Sequence, residues 1–262
     1  MARPRRTTLR RDQLDLVAHL LWRAGRVLFV TGAEVSAESG LPGHRGVGGL
    51  ASARPEDGAD GLAAVDAALS AEMLALRPQV TWRHLAASEE RLRAAAPNPA
   101  HQIMAALEAT REVVVATANV DGLHGRAGSR RVIELHGNLR RLRCVRCDFA
   151  LTVPSYQGVP IPPACPQCQA LVRPDLVLFG ELLATTTSDA LERELARGFE
   201  LVVAVGTRTA APYLARPILL ARQAGVPTAE IGLLDSELSP VVDLRLRARP
   251  ARVMAALWAR RP

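Results

Sequence analysis

The sequence predicts an α/β fold: a doubly wound parallel sheet carrying a small metal-holding module. Three observations predict it. Short apolar runs that read as buried strands alternate with stretches of helical periodicity. Polar, glycine-containing motifs follow those runs, where ligands of open parallel sheets bind, beyond the carboxyl ends of the strands. Every cysteine falls in one of two knuckles, Cys144-Val145-Arg146-Cys147 and Cys165-Pro166-Gln167-Cys168. At 262 residues and 48% hydrophobic content, the chain can bury one large core with a satellite.

The elements follow in order. Residues 13 to 24 read as an amphipathic helix with Leu14, Val17, Leu20 and Leu21 on one face and Gly25 as its stop. Residues 26 to 31 form a buried-strand run that leads straight into Gly32-Ala33-Glu34-Val35-Ser36. A strand, a turn and a helix start in this order present backbone N–H groups to a phosphate. Residues 44 to 96 are rich in Ala and Arg, and Leu62, Val65, Leu69, Met73 and Leu76 form one helical stripe, expected to pack on the main core. Pro97-Asn98-Pro99 breaks it. A helix over 100 to 109 and strands over 111 to 117 and 132 to 135 follow. Residues 138 to 175 hold the knuckles, with Pro160, Pro162, Pro163 and Pro166 marking loop, and 176 to 179 return to strand. A helix over 188 to 197, a strand over 201 to 205 ending at Gly206-Thr207, a helix over 214 to 224, a strand over 228 to 231 and a helix over 251 to 259 complete the alternation.

Each CxxC turn aims two thiolates at one point, so the paired knuckles predict a tetrahedral Zn2+ site of Cys144, Cys147, Cys165 and Cys168. Four protein ligands leave no position for water or substrate, which makes the zinc structural. A disulfide framework is disfavoured by the chain length and by the lack of an apolar signal core after the basic amino terminus. The net charge is +7, and all 33 basic residues are arginine. Arg3, Arg5, Arg6, Arg10 and Arg11 lie in a tail, residues 1–12, expected to be disordered. Arg140, Arg141, Arg143 and Arg146 surround the first knuckle. No aromatic residues interleave these arginines as stacking platforms, which favours a solvated surface over a nucleic-acid interface. No apolar run approaches the ~20 residues of a membrane span. The expectation is a cytoplasmic protein without a membrane partner.

Taken in order, the motifs resemble one family, the sirtuins, which are NAD-dependent protein deacylases. Residues 32 to 46, from Gly32-Ala33-Glu34 through Gly43-His44-Arg45-Gly46, are similar to its first signature. Thr117-Ala118-Asn119-Val120-Asp121-Gly122-Leu123-His124 is similar to the second. Pro97-Asn98-Pro99-Ala100-His101, Glu134-Leu135-His136-Gly137, the knuckles, the 173–181 run and Val205-Gly206-Thr207 also match in the family's order. The resemblance implies a Rossmann-like NAD-binding domain of 13–43, 97–136 and 176–262, a zinc-ribbon module of 137–175 and a helical insertion, 44–96, belonging to the small domain. It implies NAD consumed as co-substrate, an acyl-lysine protein or peptide as partner, and nicotinamide and O-acyl-ADP-ribose as products. His136 is implied as the base acting on a ribose hydroxyl, with Asn119 and Asp121 ordering the ribose and holding the nicotinamide carboxamide. Gly32, Ala33, Ser36, Arg45, Gly206, Thr207, Arg208 and Gly232 are implied to contact the cofactor together with Asn119 and Asp121. Val177, Phe179, Gly180 and Glu181 are implied to pair with a substrate peptide by strand addition. Read without the resemblance, His136 also fits a hydrogen-bonded core histidine, and Asn119 with Asp121 fits an Asx turn at a helix start.

The chain departs from the family pattern on the cofactor side. Glu34 stands for a Gly, His44 for an aromatic, Ala118 for a Gln, Arg208 for a Ser and Gly232 for an Asn. These departures point to altered NAD affinity more than to altered chemistry. They also keep two alternatives in view: another NAD-consuming activity, either ADP-ribosyl transfer or NAD hydrolysis, and a non-enzymatic nucleotide-sensing protein.

Overall fold

The computed structural model describes residues 10–41, 58–207 and 211–262. Helix α1 (Arg11–Arg23) is followed by β1 (Arg26–Thr31) and a short α2 (Ala33–Ala37). Next come α3 (Gly58–Ala68), α4 (Ala71–Leu76), α5 (Pro78–Ala94) and α6 (Pro99–Leu107), which lead to β2 (Glu112–Thr117), α7 (Leu123–Arg126) and β3 (Val132–Glu134). Strands β4 (Gly137–Cys144), β5 (Ala150–Thr152) and β6 (Val172–Leu176) form a separate unit. The chain closes with α8 (Thr185–Ala196), β7 (Leu201–Val205), α9 (Pro212–Gln223), β8 (Thr228–Ile231), β9 (Leu244–Leu246) and α10 (Pro250–Trp258). Arg11 and Asp12, placed by sequence in the tail, begin α1; residues 1–9 of that tail lie outside the described residues.

The main sheet runs β3-β2-β1-β7-β8-β9, and every neighbouring pair is parallel. Counted in their own chain order, these strands lie 3-2-1-4-5-6, the dinucleotide-binding arrangement. The order reverses between β1 and β7, so a crevice opens there at the carboxyl ends. Both faces are covered, which is why β1, β2 and β7 read as unbroken apolar runs. On one face Leu14 and Leu21 of α1, Met104 of α6 and Met254 of α10 pack on Phe29 and Val203; on the other, Leu191 of α8 and Ile218 of α9 pack on Leu28 and Val202. Strand β9 escapes the sequence reading because it is three residues long and alternates Leu with Arg.

The second sheet is antiparallel, in the order β5-β4-β6. The helices of the 58–95 region pack on it, contrary to the expectation that they cover the main core. Leu74, Trp82, Leu85 and Leu92 share a core with Leu139, Leu142, Val172 and Leu176. The buried Trp82 indole N–H donates to the Val172 carbonyl at 3.1 Å, which fixes α5 to β6. The predicted stripe also breaks. Ser70 caps a new helix by accepting from Met73 N–H at 3.0 Å, and the restart shifts the helical phase. Leu74 is thereby buried, whereas Leu76 is 72% exposed. The expected strand over 176 to 179 is another correction: β6 ends at Leu176, and Phe179 forms only an isolated bridge with Ser70.

Candidate functional site

At the switch point the turns after β1 and β7 interlock backbone against backbone. A Cβ on Gly32 would lie 2.7 Å from the Gly206 carbonyl oxygen, and one on Gly206, at φ +63°, would lie 2.8 Å from the Val35 nitrogen. Only glycine satisfies both approaches. The interlock uses amides that the sequence offered to a phosphate. Gly32 N–H donates to Val205, Glu34 N–H to Gly206 and Val35 N–H to Gly32. The Thr207 hydroxyl, at the end of the second turn, is buried with no hydrogen-bond partner among the described residues. A buried hydroxyl in need of a partner, beside two glycine turns, fits a polar nucleotide. Ala33 lies half-buried between these turns. Arg45, Arg208 and His44 lie outside the described residues.

Ser36, Asn119 and Asp121 come together from two segments into one buried cluster. The Ser36 hydroxyl donates to Asp121 Oδ2 at 2.5 Å. Asn119 Nδ2 donates to Ser36 Oγ at 2.9 Å and to the Gly32 carbonyl at 3.0 Å. Both hydrogens of that amide are thus used inward, which leaves its carbonyl oxygen as the acceptor to present. Asp121 Oδ1 accepts from Leu123 N–H at 2.8 Å, so the Asx turn also exists and coexists with the cluster. Burial pushes the Asp121 carboxyl above its ordinary range, and the Ser36 hydroxyl and Leu123 amide oppose that shift. Sequence reasoning placed Asn98 in a matching motif without a role; it caps α6 and also donates to Val35 O at 2.7 Å and Ser39 Oγ at 3.0 Å, tying α6 to α2. The proline-flanked asparagine before a helix was the available signal.

His136 follows β3, held where Leu135 N–H donates to Thr117 O. Gly137, at φ +82°, has no room for a Cβ, which would stand 1.9 Å from the Asp175 carbonyl oxygen. The imidazole Nε2 lies 2.6 Å from the Tyr213 hydroxyl of α9, and Nδ1 is buried. Burial holds this imidazole below its ordinary value, with the Ala118 backbone pulling the other way. Tyr213 was not among the residues singled out by sequence; it belongs to no motif and reaches His136 only through the fold.

Glu34, one of the departures on the cofactor side, is engaged by the neighbouring turn. Its Oε2 accepts from Leu233 N–H at 3.0 Å, beyond β8. The same oxygen would lie 3.3 Å from a Cβ on Gly232. The two departures are therefore one local arrangement: the missing side chain at 232 makes room for the carboxylate.

The Val177 to Glu181 segment borders the site with its amides committed. Val177 N–H donates to His136 O, and Phe179 N–H donates to Leu69 O while its carbonyl accepts from Ala71. Leu178 N–H goes to Glu181 Oε2 at 2.8 Å. Glu181 in turn pairs with the buried Arg173. Burial pushes the Glu181 carboxyl up, but Arg173 outweighs it and the net shift is downward. The Glu181 N–H is committed as well, donating to the Leu178 carbonyl at 3.0 Å.

The four cysteine sulfurs lie within 4.8 Å of one another, with Cys144 to Cys168 at 3.5 Å and Cys147 to Cys165 at 3.6 Å. Zn–S bonds of ~2.3 Å in a tetrahedron place sulfurs about 3.8 Å apart, so the cage fits the ion and is far too open for disulfides. Arg146 N–H points at Cys144 Sγ, as a knuckle amide should.

Comparison with known proteins converges on one family. The Sir2 family model matches residues 32–211. NAD-dependent protein deacylase 2 of Pseudomonas aeruginosa is 40% identical over 91% of this chain and 93% of its own. NAD-dependent protein deacylase 1 of Archaeoglobus fulgidus is 39% identical over 87% of this chain and 89% of its own. Among solved structures, a Sir2 homologue in complex with NAD superposes with a TM-score of 0.80 at 35% identity, covering 93% of this chain and 91% of that one. A Sir2 complex with p53 peptide and NAD+ gives 0.76 at 26% identity, covering 93% and 96%. With the 3-2-1-4-5-6 sheet, the four-sulfur cage and the strand-end motifs all in place, this chain belongs to the Sir2 family.

Proposed function

We propose that this protein is an NAD-dependent protein lysine deacylase, which moves an acyl group from lysine to ADP-ribose and releases nicotinamide. The observation that carries the proposal is the buried Ser36–Asn119–Asp121 cluster at the switch point, with the neutral, half-buried His136 at the neighbouring strand end. When bound, NAD supplies an electrophilic ribose carbon, a leaving group and the hydroxyls that receive the acyl group. Asn119, its amide hydrogens fixed inward, presents a carbonyl oxygen to a hydroxyl or water. Asp121 has oxygen lone pairs beyond those used by Ser36 and Leu123 and can accept from a carboxamide NH2. His136 acts as general base, which its low proton affinity in the buried site keeps unprotonated at neutral pH. Gly32, Ala33, Gly206, Thr207 and Gly232 line the nucleotide crevice, and the segment around Gly180 borders the place of an acyl-lysine peptide. The Zn2+ held by Cys144, Cys147, Cys165 and Cys168 supports the small sheet and takes no part in the reaction.

Residues 13–43, 97–136 and 176–262 form the nucleotide domain in this proposal. Residues 44–96 and 137–175 form the small domain, a division supported by the core that α4 and α5 share with β4 and β6. The cytoplasm suits reduced zinc-binding thiols, and among the described residues no helix is long and apolar enough to cross a membrane.

Mass spectrometry after incubation with NAD and a panel of acyl-lysine peptides tests the proposal. O-acyl-ADP-ribose and free nicotinamide are expected, and His136→Ala should abolish the former while NAD binding persists. ADP-ribose on protein, or free ADP-ribose without acyl transfer, would instead identify the other NAD-consuming activity.

A further inference from the structure

We infer that Tyr213 is the residue through which His136 takes its proton, an inference that rests on His136 being the base. In a histidine base oriented by a carboxylate, Nδ1 is held and Nε2 is open. Here Nε2 is not open: it meets the Tyr213 hydroxyl at 2.6 Å, while Nδ1 is buried and the Ala118 backbone bonds the ring. The rings also pack edge to face, with centroids 5.5 Å apart and planes at 79°. Tyr213 is anchored in the first turn of α9, immediately after Pro212. Its position is thus set by a helix, and the imidazole is oriented from its Nε2 side.

The protonation states follow from the surroundings. Burial raises the phenol's proton affinity and lowers the imidazole's, so phenol O–H and neutral imidazole is the resting pair. The phenol then donates to the Nε2 lone pair, and the imidazole proton sits on Nδ1. A substrate hydroxyl finds the basic lone pair already occupied and reaches it through the phenol oxygen. As the substrate O–H bond breaks, its proton passes to Tyr213 Oη and the phenol proton passes to His136 Nε2. The substrate oxygen keeps the electron pair and becomes the nucleophile, His136 becomes imidazolium, and Tyr213 is neutral before and after.

Tyr213→Phe tests this, since it keeps the ring and removes only the hydroxyl. O-acyl-ADP-ribose formation should fall about tenfold or more, with a displaced acid limb in its pH profile. NAD affinity measured by calorimetry should stay within about twofold, which also reports the fold. Nitrogen NMR of histidine-labelled, ligand-free protein gives a readout independent of turnover, with the His136 signal assigned by its loss in His136→Ala. The parent should show the Nδ1–H tautomer, and Tyr213→Phe should move toward Nε2–H. Turnover in Tyr213→Phe at or above the parent rate with an unchanged pH profile would overturn the relay, as would an Nε2–H tautomer in the parent. If His136→Ala turns over normally, the base assignment itself fails; if it is inactive while Tyr213→Phe is unaffected, only the relay fails.

Discussion

Glu34 and Gly232 show how two departures from a family pattern can explain each other. The carboxylate caps Leu233 N–H and occupies the space that a side chain at 232 would need. Gly232→Asn alone should therefore cost stability, whereas Glu34→Gly with Gly232→Asn should recover it. A double-mutant cycle in urea should give a coupling of about 1 kcal/mol, and strict additivity would show that the two residues do not interact. The role proposed for His136 carries a pH prediction. An unperturbed imidazole would lose basic form below pH ~6.5, but burial depresses the His136 proton affinity. The acid limb of activity should therefore lie below that value, and a limb at or above it would contradict the buried placement. Residues inside strand-end motifs, such as Asn119 and His136, were legible because their neighbours in sequence announce them. Tyr213 was not legible, because its partner is on a different strand end and no local pattern links the two. The orientation of Glu34 was equally hidden, since the amide it caps follows β8, distant in sequence and brought near only by the strand order.

At the scale of elements, the zinc cage and the helical insertion are mechanically one object. Trp82 is fully buried between α5 and the small sheet, beside Tyr156 at a ring distance of 5.3 Å. Trp82→Ala should cost about 3–5 kcal/mol and accelerate zinc loss to a chelator, although the residue is not itself a ligand. Elemental analysis should find one zinc per chain, and Cys165→Ala should release it. Because structural zinc supplies folding free energy on the order of 10 kcal/mol in small modules, that variant should expose α4 and α5 to protease along with β4 to β6. Intact helices in metal-free protein would show that the shared core does not depend on the metal. The knuckles were readable at once because ligand spacing is a local property. The register of the insertion was not, because Ser70 restarts the helix inside a run whose apolar spacing looks continuous. The serine itself was the clue, as a hydroxyl preferred at helix starts in an otherwise Ala-rich stretch.

For the whole molecule, the six-strand order was implicit in the alternation of apolar runs and helices, while the pairing of turns across the switch point needed the fold. Buried histidines add a pH dependence that belongs to the entire chain. Burial holds His101 down to about 4 and His124 to about 3, and the His124 ring bonds Thr31 of β1. Above pH ~6.5 both are neutral whether folded or not. Below it the unfolded chain takes up protons that the folded one refuses, so stability should fall by about 1.4 kcal/mol per pH unit for each, down to those folded-state values. Urea midpoints measured between pH 7 and 5 should decline accordingly, and a flat profile would mean that these rings are not buried neutral. The stretch before Gly180 has a kinetic consequence. The amide hydrogens of Val177, Leu178 and Phe179 are already bonded, to His136, Glu181 and Leu69 in turn. In deuterated solvent these three, and Glu181 with its N–H on the Leu178 carbonyl, should exchange slowly in the free protein and gain little when a peptide arrives, so newly slowed exchange would register at Gly180. The ordering of this stretch is complete at folding, and a peptide meets an edge whose entropy has already been lost.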